Sequence, residues 1–243
     1  MTAFVVAPYV DRVEILSDGA IYSPGGILVG TANKVITSGV VPMAIIGSGA
    51  TAEIAALSEA ILSAAAKTRS VDATLKILAG ALSEIGKAPN FDTGLRIAIA
   101  GISESEGPVA YVLSTFEDAS SSLAALELVR MRRVFAQGAA PTGEDLVAYG
   151  PVSIIDGLER DAVFFLESMR KQKMTNPADP DREPFYSVGS HIDLTIIRAD
   201  GYEQRMLHAW PDQVGEKIDP FSEVCTTHDD GTTFDDGTEY VNG

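Results

Sequence analysis

The chain has 243 residues, of which 46% are hydrophobic and 21% charged, an ordinary balance for a globular protein with a sizeable core. Its formal charge of −16 argues against binding to nucleic acid or to an anionic membrane. Its single cysteine, Cys225, excludes an intrachain disulfide and a zinc site of the paired-cysteine kind.

Short apolar strands are predicted at the start of the chain. Residues 3–8 and 13–16 have strand character and are separated by a turn, and a Gly/Pro-punctuated hairpin or loop follows. Two further strands are predicted over 34–37 and 43–46. The Gly-Ser-Gly sequence at 47–49 ends the second of these strands.

Two helices are predicted next. Apolar residues at helical spacing indicate the first: Ile54, Leu57, Ile61 and Ala65. The second begins near Ser70 or Asp72, which are both plausible N-caps, and ends near Gly86.

The second half is predicted to return to strands. The predicted strands cover 95–102, 108–116, 126–137, 187–201 and 202–210. A helical region begins at Thr142 and continues toward Lys173, with a break or kink at the Gly150–Pro151 pair. This order of elements predicts the α+β class.

The chain is predicted to divide into a domain over residues 1–210 and an acidic tail over 211–243. The tail holds nine acidic residues and one basic residue, Lys217, so half of the net charge lies there. Its Asp-Asp-Gly-Thr repeats predict solvated turns or disorder, and a protein partner is one possible role for its charge.

Three residues near the N-terminus could form a nucleophilic site: Thr2, with Asp18 and Lys34 lying 16 and 32 residues after it. Removal of Met1 would make Thr2 the N-terminal residue, whose α-amine can act as the base for its own hydroxyl. A nearby lysine lowers the pKa of that amine, and an aspartate orients the lysine. Taken alone, Thr2 is far more typical of an ordinary early residue, and Asp18 and Lys34 are also typical of a turn and a strand edge. Taken together, the three residues favour a nucleophilic site.

In the order and spacing of these residues, the chain resembles the N-terminal nucleophile (Ntn) hydrolases of the proteasome β-subunit and bacterial HslV type. The resemblance is residue-specific over the first fifty residues or so, and the later order of elements also fits. It implies a four-layer αββα sandwich, threonine peptidase or amide hydrolase activity, no cofactor and assembly into a homo-oligomeric ring. Backbone N–H groups at Gly47, Ser48 and Gly49 would bind the oxyanion and substrate, with Gly47 and Gly49 both candidates for the oxyanion.

The same Gly-Ser-Gly stretch also fits a dinucleotide-binding pattern. A Rossmann unit needs a second parallel strand after the helix, whereas a second helix is predicted here. We therefore favour the substrate-lining interpretation.

The chain departs from the family at two accessory positions. Where the family carries a serine after a glycine, Ala139 or Ala140 stands here and has no hydroxyl. The family's Tyr-Ser-Gly-Gly context is partly kept around the accessory Ser187, but Pro184 occupies the aligned aspartate position. Glu183 or Asp181 could substitute through a loop shift.

These departures motivate a second hypothesis, a catalytically silent subunit with a structural or assembly role in a ring or a larger particle, viral ones included.

The three histidines lack ligand spacing, so no metal site is predicted. No secretory signal and no long apolar stretch is present in the sequence, so the expected location is cytoplasmic.

Overall fold

The computed structural model describes residues 2–85, 94–117, 123–175, 181 and 183–222. Within them the chain is a mixed α/β protein with two five-stranded antiparallel sheets, two two-stranded sheets and four α-helices. This content agrees with the predicted α+β class. No helix in these ranges is long and apolar enough to cross a membrane.

Fourteen strands and four α-helices lie in the described ranges. The strands are Phe4–Pro8 (β1), Val13–Asp18 (β2), Ala20–Tyr22 (β3), Leu28–Thr31 (β4), Ile36–Thr37 (β5), Met43–Ser48 (β6), Arg96–Ser103 (β7), Gly107–Ser114 (β8), Leu128–Met131 (β9), Phe135–Gln137 (β10), Lys173–Met174 (β11), Phe185–Tyr186 (β12), His191–Arg198 (β13) and Gly201–Ala209 (β14). The helices are Thr51–Thr68 (α1), Val71–Ile85 (α2), Gly143–Tyr149 (α3) and Ala162–Arg170 (α4).

The two large sheets have strand orders β10-β1-β2-β13-β14 and β5-β6-β7-β8-β9. β2 and β6 are buried along their whole length, so both of their faces are covered. Strands buried on both faces have near-continuous apolar sequences rather than alternating ones, as in Met-Ala-Ile-Ile of β6.

Apolar residues of the sheets form three clusters, and neighbouring residues of one strand join different clusters because side chains alternate. The first cluster joins the two sheets and includes Phe4, Val6, Ile15, Ala44, Ile46 and Ala98. The second joins the β6 sheet to α1 and α2 and includes Ile45, Ile97, Ile61, Leu75 and Leu78. The third joins the β1 sheet to α4 and includes Val5, Leu16, Leu166 and Met169.

Two sequence predictions were wrong in their boundaries. The strand expected over 126–137 is two strands, β9 and β10, which lie in different sheets because the chain bends at Arg132 and Arg133. The helical region expected from Thr142 to Lys173 is also divided. Thr142 caps α3 with a capping box, and α3 ends at Tyr149 with Gly150 as its C-cap, where the Gly-Pro pair predicted a break. α4 begins only at Ala162, after a short 3₁₀ turn.

Packed structure continues past the boundary predicted after residue 210. Asp212 forms an ion pair with Arg170 at 2.6 Å, and both side chains are buried. Ile218 is buried in a small cluster with Ala20 and Leu28. Residues 211–222 therefore lie against the domain, and the rest of the predicted acidic tail lies outside the described residues.

Candidate functional site

The structure brings Thr2, Asp18 and Lys34 together at one end of the β1–β2 pair. The antiparallel register of these strands sets Phe4 opposite Ser17, which puts the start of β1 beside the end of β2. Ala3 N–H donates to Asp18 Oδ1 at 3.0 Å, and Lys34 Nζ donates to the same oxygen at 2.8 Å. One carboxylate oxygen thus links the N-terminal strand to the lysine.

Asp18 is the fixed centre of this group. Its side chain is fully buried, and its second oxygen, Oδ2, accepts from Ala20 N–H at 3.1 Å and from Gly189 N–H at 3.4 Å. A buried carboxylate is tolerable when a charge and several donors satisfy it. The same burial lowers the pKa of Lys34, because the desolvation of its ammonium outweighs the attraction of Asp18.

Ser48 places a hydroxyl at the N-terminal strand. The Thr2 backbone nitrogen donates to Ser48 Oγ at 3.2 Å, across 46 residues of sequence. Ser48 is the last residue of β6 and is buried. The Thr2 nitrogen therefore contacts a side-chain hydroxyl.

The predicted glycines flank Ser48 under tight packing. Gly49 has φ +143°, and a Cβ there would lie 2.9 Å from the carbonyl oxygen of Gly94. A Cβ at Gly47 would lie 2.9 Å from the Ile54 side chain at the start of α1. Only glycine fits the backbone at position 49 without strain.

A cavity of about 460 Å³ is lined by five of the seven predicted site residues, and Asp18 and Ser187 lie outside its lining. Its size is typical of small-molecule pockets. The predicted residues that line it are Thr2, Lys34, Gly47, Ser48 and Gly49. In the described ranges, β5 pairs with β6 only at two positions, Ile36 with Ile45 and Thr37 with Ala44. The last residues of β6, Gly47 and Ser48, therefore have no partner in β5 and line the cavity.

Arg96 and Gln137 are among the polar residues of this cavity that sequence reasoning missed. Arg96 Nη1 donates to Gln137 Oε1 at 2.6 Å, and its guanidinium lies 5.0 Å from the centroid of the Phe116 ring. One sequence feature could have identified Arg96: it begins β7, directly before a run of buried apolar residues. A charged residue in such a position is seldom buried without a functional or structural reason.

The accessory residue Ser187 is buried but does not line the cavity. Its segment still supports the site, since Gly189 donates to Asp18 and its carbonyl oxygen accepts from Gly19 N–H at 3.3 Å. The segment of Ala139 and Ala140 begins beside the N-terminal strand, because a Cβ at Gly138 would lie 3.5 Å from that of Ala3. It brings no side-chain hydroxyl to the site.

A buried polar chain supports the turn that follows Asp18. Ser190 Oγ lies 2.9 Å from His191 Nδ1, and His191 Nε2 lies 3.1 Å from Asp193 Oδ2. The imidazole ring packs against Gly19, where a Cβ would come within 2.1 Å of it. Burial raises the pKa of Asp193, and the charge of Asp18 adds to this rise. None of these three side chains lines the cavity, so we assign them a supporting role.

No protein-family model matches the chain, and no curated protein matches it. The ranges that the structure describes contain no group of three or more His, Cys, Asp and Glu side chains that could hold a metal ion.

Proposed function

We propose that this protein is a threonine-type N-terminal nucleophile hydrolase that cleaves peptide or amide bonds. The observation that carries the proposal is the position of Asp18, which binds Ala3 N–H at 3.0 Å and Lys34 Nζ at 2.8 Å beside a cavity lined by Thr2. This geometry supports the proposal, because the chemistry requires a nucleophile, a cation and an orienting carboxylate close together.

We also propose that the fold is the four-layer αββα sandwich of the Ntn hydrolases. Three apolar clusters support this arrangement: one between the sheets, one under α1 and α2, and one under α4. The order of layers would then be helices, sheet, sheet and helix, with the N-terminal strand in an inner layer.

The proposed reaction begins with removal of Met1, which converts the Thr2 amide into a free α-amine. The amine takes the proton of the Thr2 hydroxyl as its oxygen attacks the substrate carbonyl, and Lys34 stabilises the developing negative charge. Backbone N–H groups at Gly47–Gly49 bind the oxyanion. The leaving amine takes a proton from the α-ammonium, and water then hydrolyses the Thr2 ester to restore the enzyme.

In this scheme Ser48 takes over a role that the resemblance assigns to the 139–140 segment. That segment carries alanines, whereas Ser48 Oγ already lies 3.2 Å from the Thr2 nitrogen. A hydroxyl in that place orients the amine and can relay its proton. The missing family serine is therefore compatible with activity.

The second candidate is a catalytically silent subunit of a homo-oligomeric ring or of a larger particle, viral ones included. The observation in its favour is the absence of the accessory groups, with alanines at 139 and 140 and Pro184 at the aligned aspartate position. This candidate requires neither a free Thr2 amine nor a charged Lys34.

Hydrolysis by the Thr2→Ala variant decides between the two candidates. The wild-type protein with Met1 removed is compared with Thr2→Ala on a library of peptide amides, and Thr31→Ala, an exposed threonine of β4, is the control. We expect hydrolysis by the wild type and Thr31→Ala and none by Thr2→Ala. Equal hydrolysis by Thr2→Ala would contradict the enzyme proposal.

A further inference from the structure

β14 is the last strand of its sheet and has a paired strand on one side only. The sheet order ends with β2-β13-β14, so in the part of the chain that the structure describes β14 pairs with β13 alone. Much of the strand is open to solvent, since Tyr202 is 51% and Met206 58% exposed. The backbone N–H and C=O groups on the outer edge of such a strand can pair with a further strand.

The hairpin turn shows which residues face the outer edge. β13 and β14 are joined by the two-residue turn 199–200, with Arg198 paired to Gly201 across it. A two-residue turn closes with a hydrogen-bonded pair, and such pairs recur at every second residue of an antiparallel ladder. The odd-numbered residues of 201–205 are then bonded to β13, whereas the even-numbered residues of 202–206 direct their backbone groups outward.

The side chains at this edge combine two exposed apolar groups with two opposite charges. Side chains alternate along a strand, so Tyr202 and Met206 share one face of β14. Glu203 and Arg205 share the other face, where Arg205 Nε lies 3.3 Å from Glu203 Oε1. These are the only acidic and the only basic residue of β14, which is therefore locally neutral within a chain whose formal charge is −16. A second copy is not repelled at this edge.

An antiparallel pair of two β14 strands centred on Gln204 is self-complementary. It sets Glu203 opposite Arg205 of the second copy, and two-fold symmetry repeats this pair of unlike charges. It also sets Tyr202 opposite Met206 of the second copy, an aromatic–thioether contact. The adjoining registers would place Glu203 opposite Glu203, or Arg205 opposite Arg205, and like charges directly opposite are destabilising. The sequence of β14 thus favours one register.

We propose that β14 is a self-association surface, at which two copies of this chain pair edge to edge and continue one sheet across both. Arg205 already contacts Glu159 and Glu203 of its own chain. Its guanidinium has five N–H donors, so it can also hold a carboxylate of the second copy. A single strand pair is smaller than a standard interface, so the association should be weak and concentration-dependent. The surface goes beyond the proposed function, because it needs no chemistry at Thr2.

Sedimentation equilibrium of the full chain over a range of concentrations tests the surface. We expect the wild type to dimerise. Arg205→Glu should weaken the association by at least about 10-fold, because two pairs of unlike charges become two pairs of glutamates. Glu203→Arg should weaken it similarly through two pairs of arginines. Arg132→Glu, at the exposed bend after β9, makes the same change in net charge as Arg205→Glu and should associate like the wild type.

A mixture of the two β14 variants separates strand pairing from a loss of folded structure. One variant has glutamate at both 203 and 205 and the other has arginine at both, so a mixed pair again sets unlike charges opposite each other. Both variants keep a strongly negative net charge, so their overall charges do not attract. We expect the equimolar mixture to associate as the wild type does, although neither variant does so alone. A wild type that stays monomeric, association that both variants retain, or a mixture no tighter than its components would overturn the proposal.

Discussion

Thr2 and Ser48 meet through a hydrogen bond of 3.2 Å between the backbone nitrogen of one and the hydroxyl oxygen of the other. The bond joins the start of β1 in one sheet to the end of β6 in the other. The Thr2 nitrogen is the proposed base, and the hydroxyl of Ser48 contacts it. Removal of this hydroxyl should therefore slow the reaction without unfolding the protein.

We predict that Ser48→Ala lowers kcat by about 10-fold or more, since positioned proton-transfer groups contribute at least that much. The free energy of unfolding should fall by only about 1 kcal/mol, the net worth of one hydrogen bond. Ser58→Ala is the matched control, because Ser58 Oγ is buried in α1 and has no hydrogen-bond partner among the described residues. A Ser48→Ala enzyme with wild-type kcat would remove Ser48 from the mechanism.

Replacement of Lys34 should destabilise the protein through Asp18. The aspartate is fully buried, so Lys34→Met removes both its counter-ion and an N–H donor that even a neutral lysine would keep. Relief from burying the ammonium offsets part of this cost, so the net loss should be smaller than the loss of about 3–5 kcal/mol in comparable broken pairs. The double variant Asp18→Asn/Lys34→Met should recover part of this loss. Urea unfolding at neutral pH measures the difference, with Lys76→Met on the exposed face of α2 as control. Equal stability of Lys34→Met and Lys76→Met would show that the pair is not coupled.

Stability should depend on pH through the same lysine. Burial lowers the pKa of Lys34 below its ordinary value of 10.5. Between the lowered pKa and 10.5 the unfolded chain binds more protons than the folded one, so the free energy of unfolding contributed by this group rises with pH. Below the lowered pKa both states hold the proton, and the cost of burying the ammonium is fully present. Subtraction of the Lys34→Met profile from the wild-type profile should isolate this rise, and a flat difference would contradict it.

Gly49 should tolerate no side chain. At φ +143° an alanine is strained, and its Cβ would also press on the Gly94 carbonyl oxygen, so we predict a loss of about 1–3 kcal/mol in Gly49→Ala. The shifted backbone should also lower kcat, because Gly47–Gly49 are proposed to bind the oxyanion. Gly30→Ala is the matched control, since nothing lies within 4 Å of a Cβ there. Identical stability of the two variants would refute the packing argument.

The predictable part of the site lies on elements that are adjacent in sequence. Thr2 and Asp18 flank a single antiparallel turn, so their spacing already implied their proximity. The contact of Ser48 with Thr2 and the pairing of Ser48 with Arg96 depend on the docking of two sheets and on a register set across two helices. No local pattern fixes such a register. The role of Gln137 could not be predicted for a related reason. Residues 126–137 have the sequence pattern of one continuous strand, and the bend that places β10 in the other sheet contains only two arginines.

The α+β class followed from the order of elements, whereas the packing beyond residue 210 did not. The segment 211–222 is polar and Gly/Pro-punctuated, which is typical of a loop or tail. Its position comes from the buried ion pair of Arg170 with Asp212, the buried side chain of Ile218 and backbone hydrogen bonds between residues 215–216 and Leu28. Single contacts of this kind leave no periodic signal.

The central claim is that Thr2 acts through both its hydroxyl and a free α-amine. The most direct measurement is peptide-resolved mass spectrometry of the Met1-free protein after incubation with a peptide epoxyketone, which needs both groups to form its cyclic adduct. We predict a stoichiometric adduct on the peptide that begins with Thr2, and none in Thr2→Ala or in protein that retains Met1. A protein with a free Thr2 amine that remains unlabelled would contradict the account.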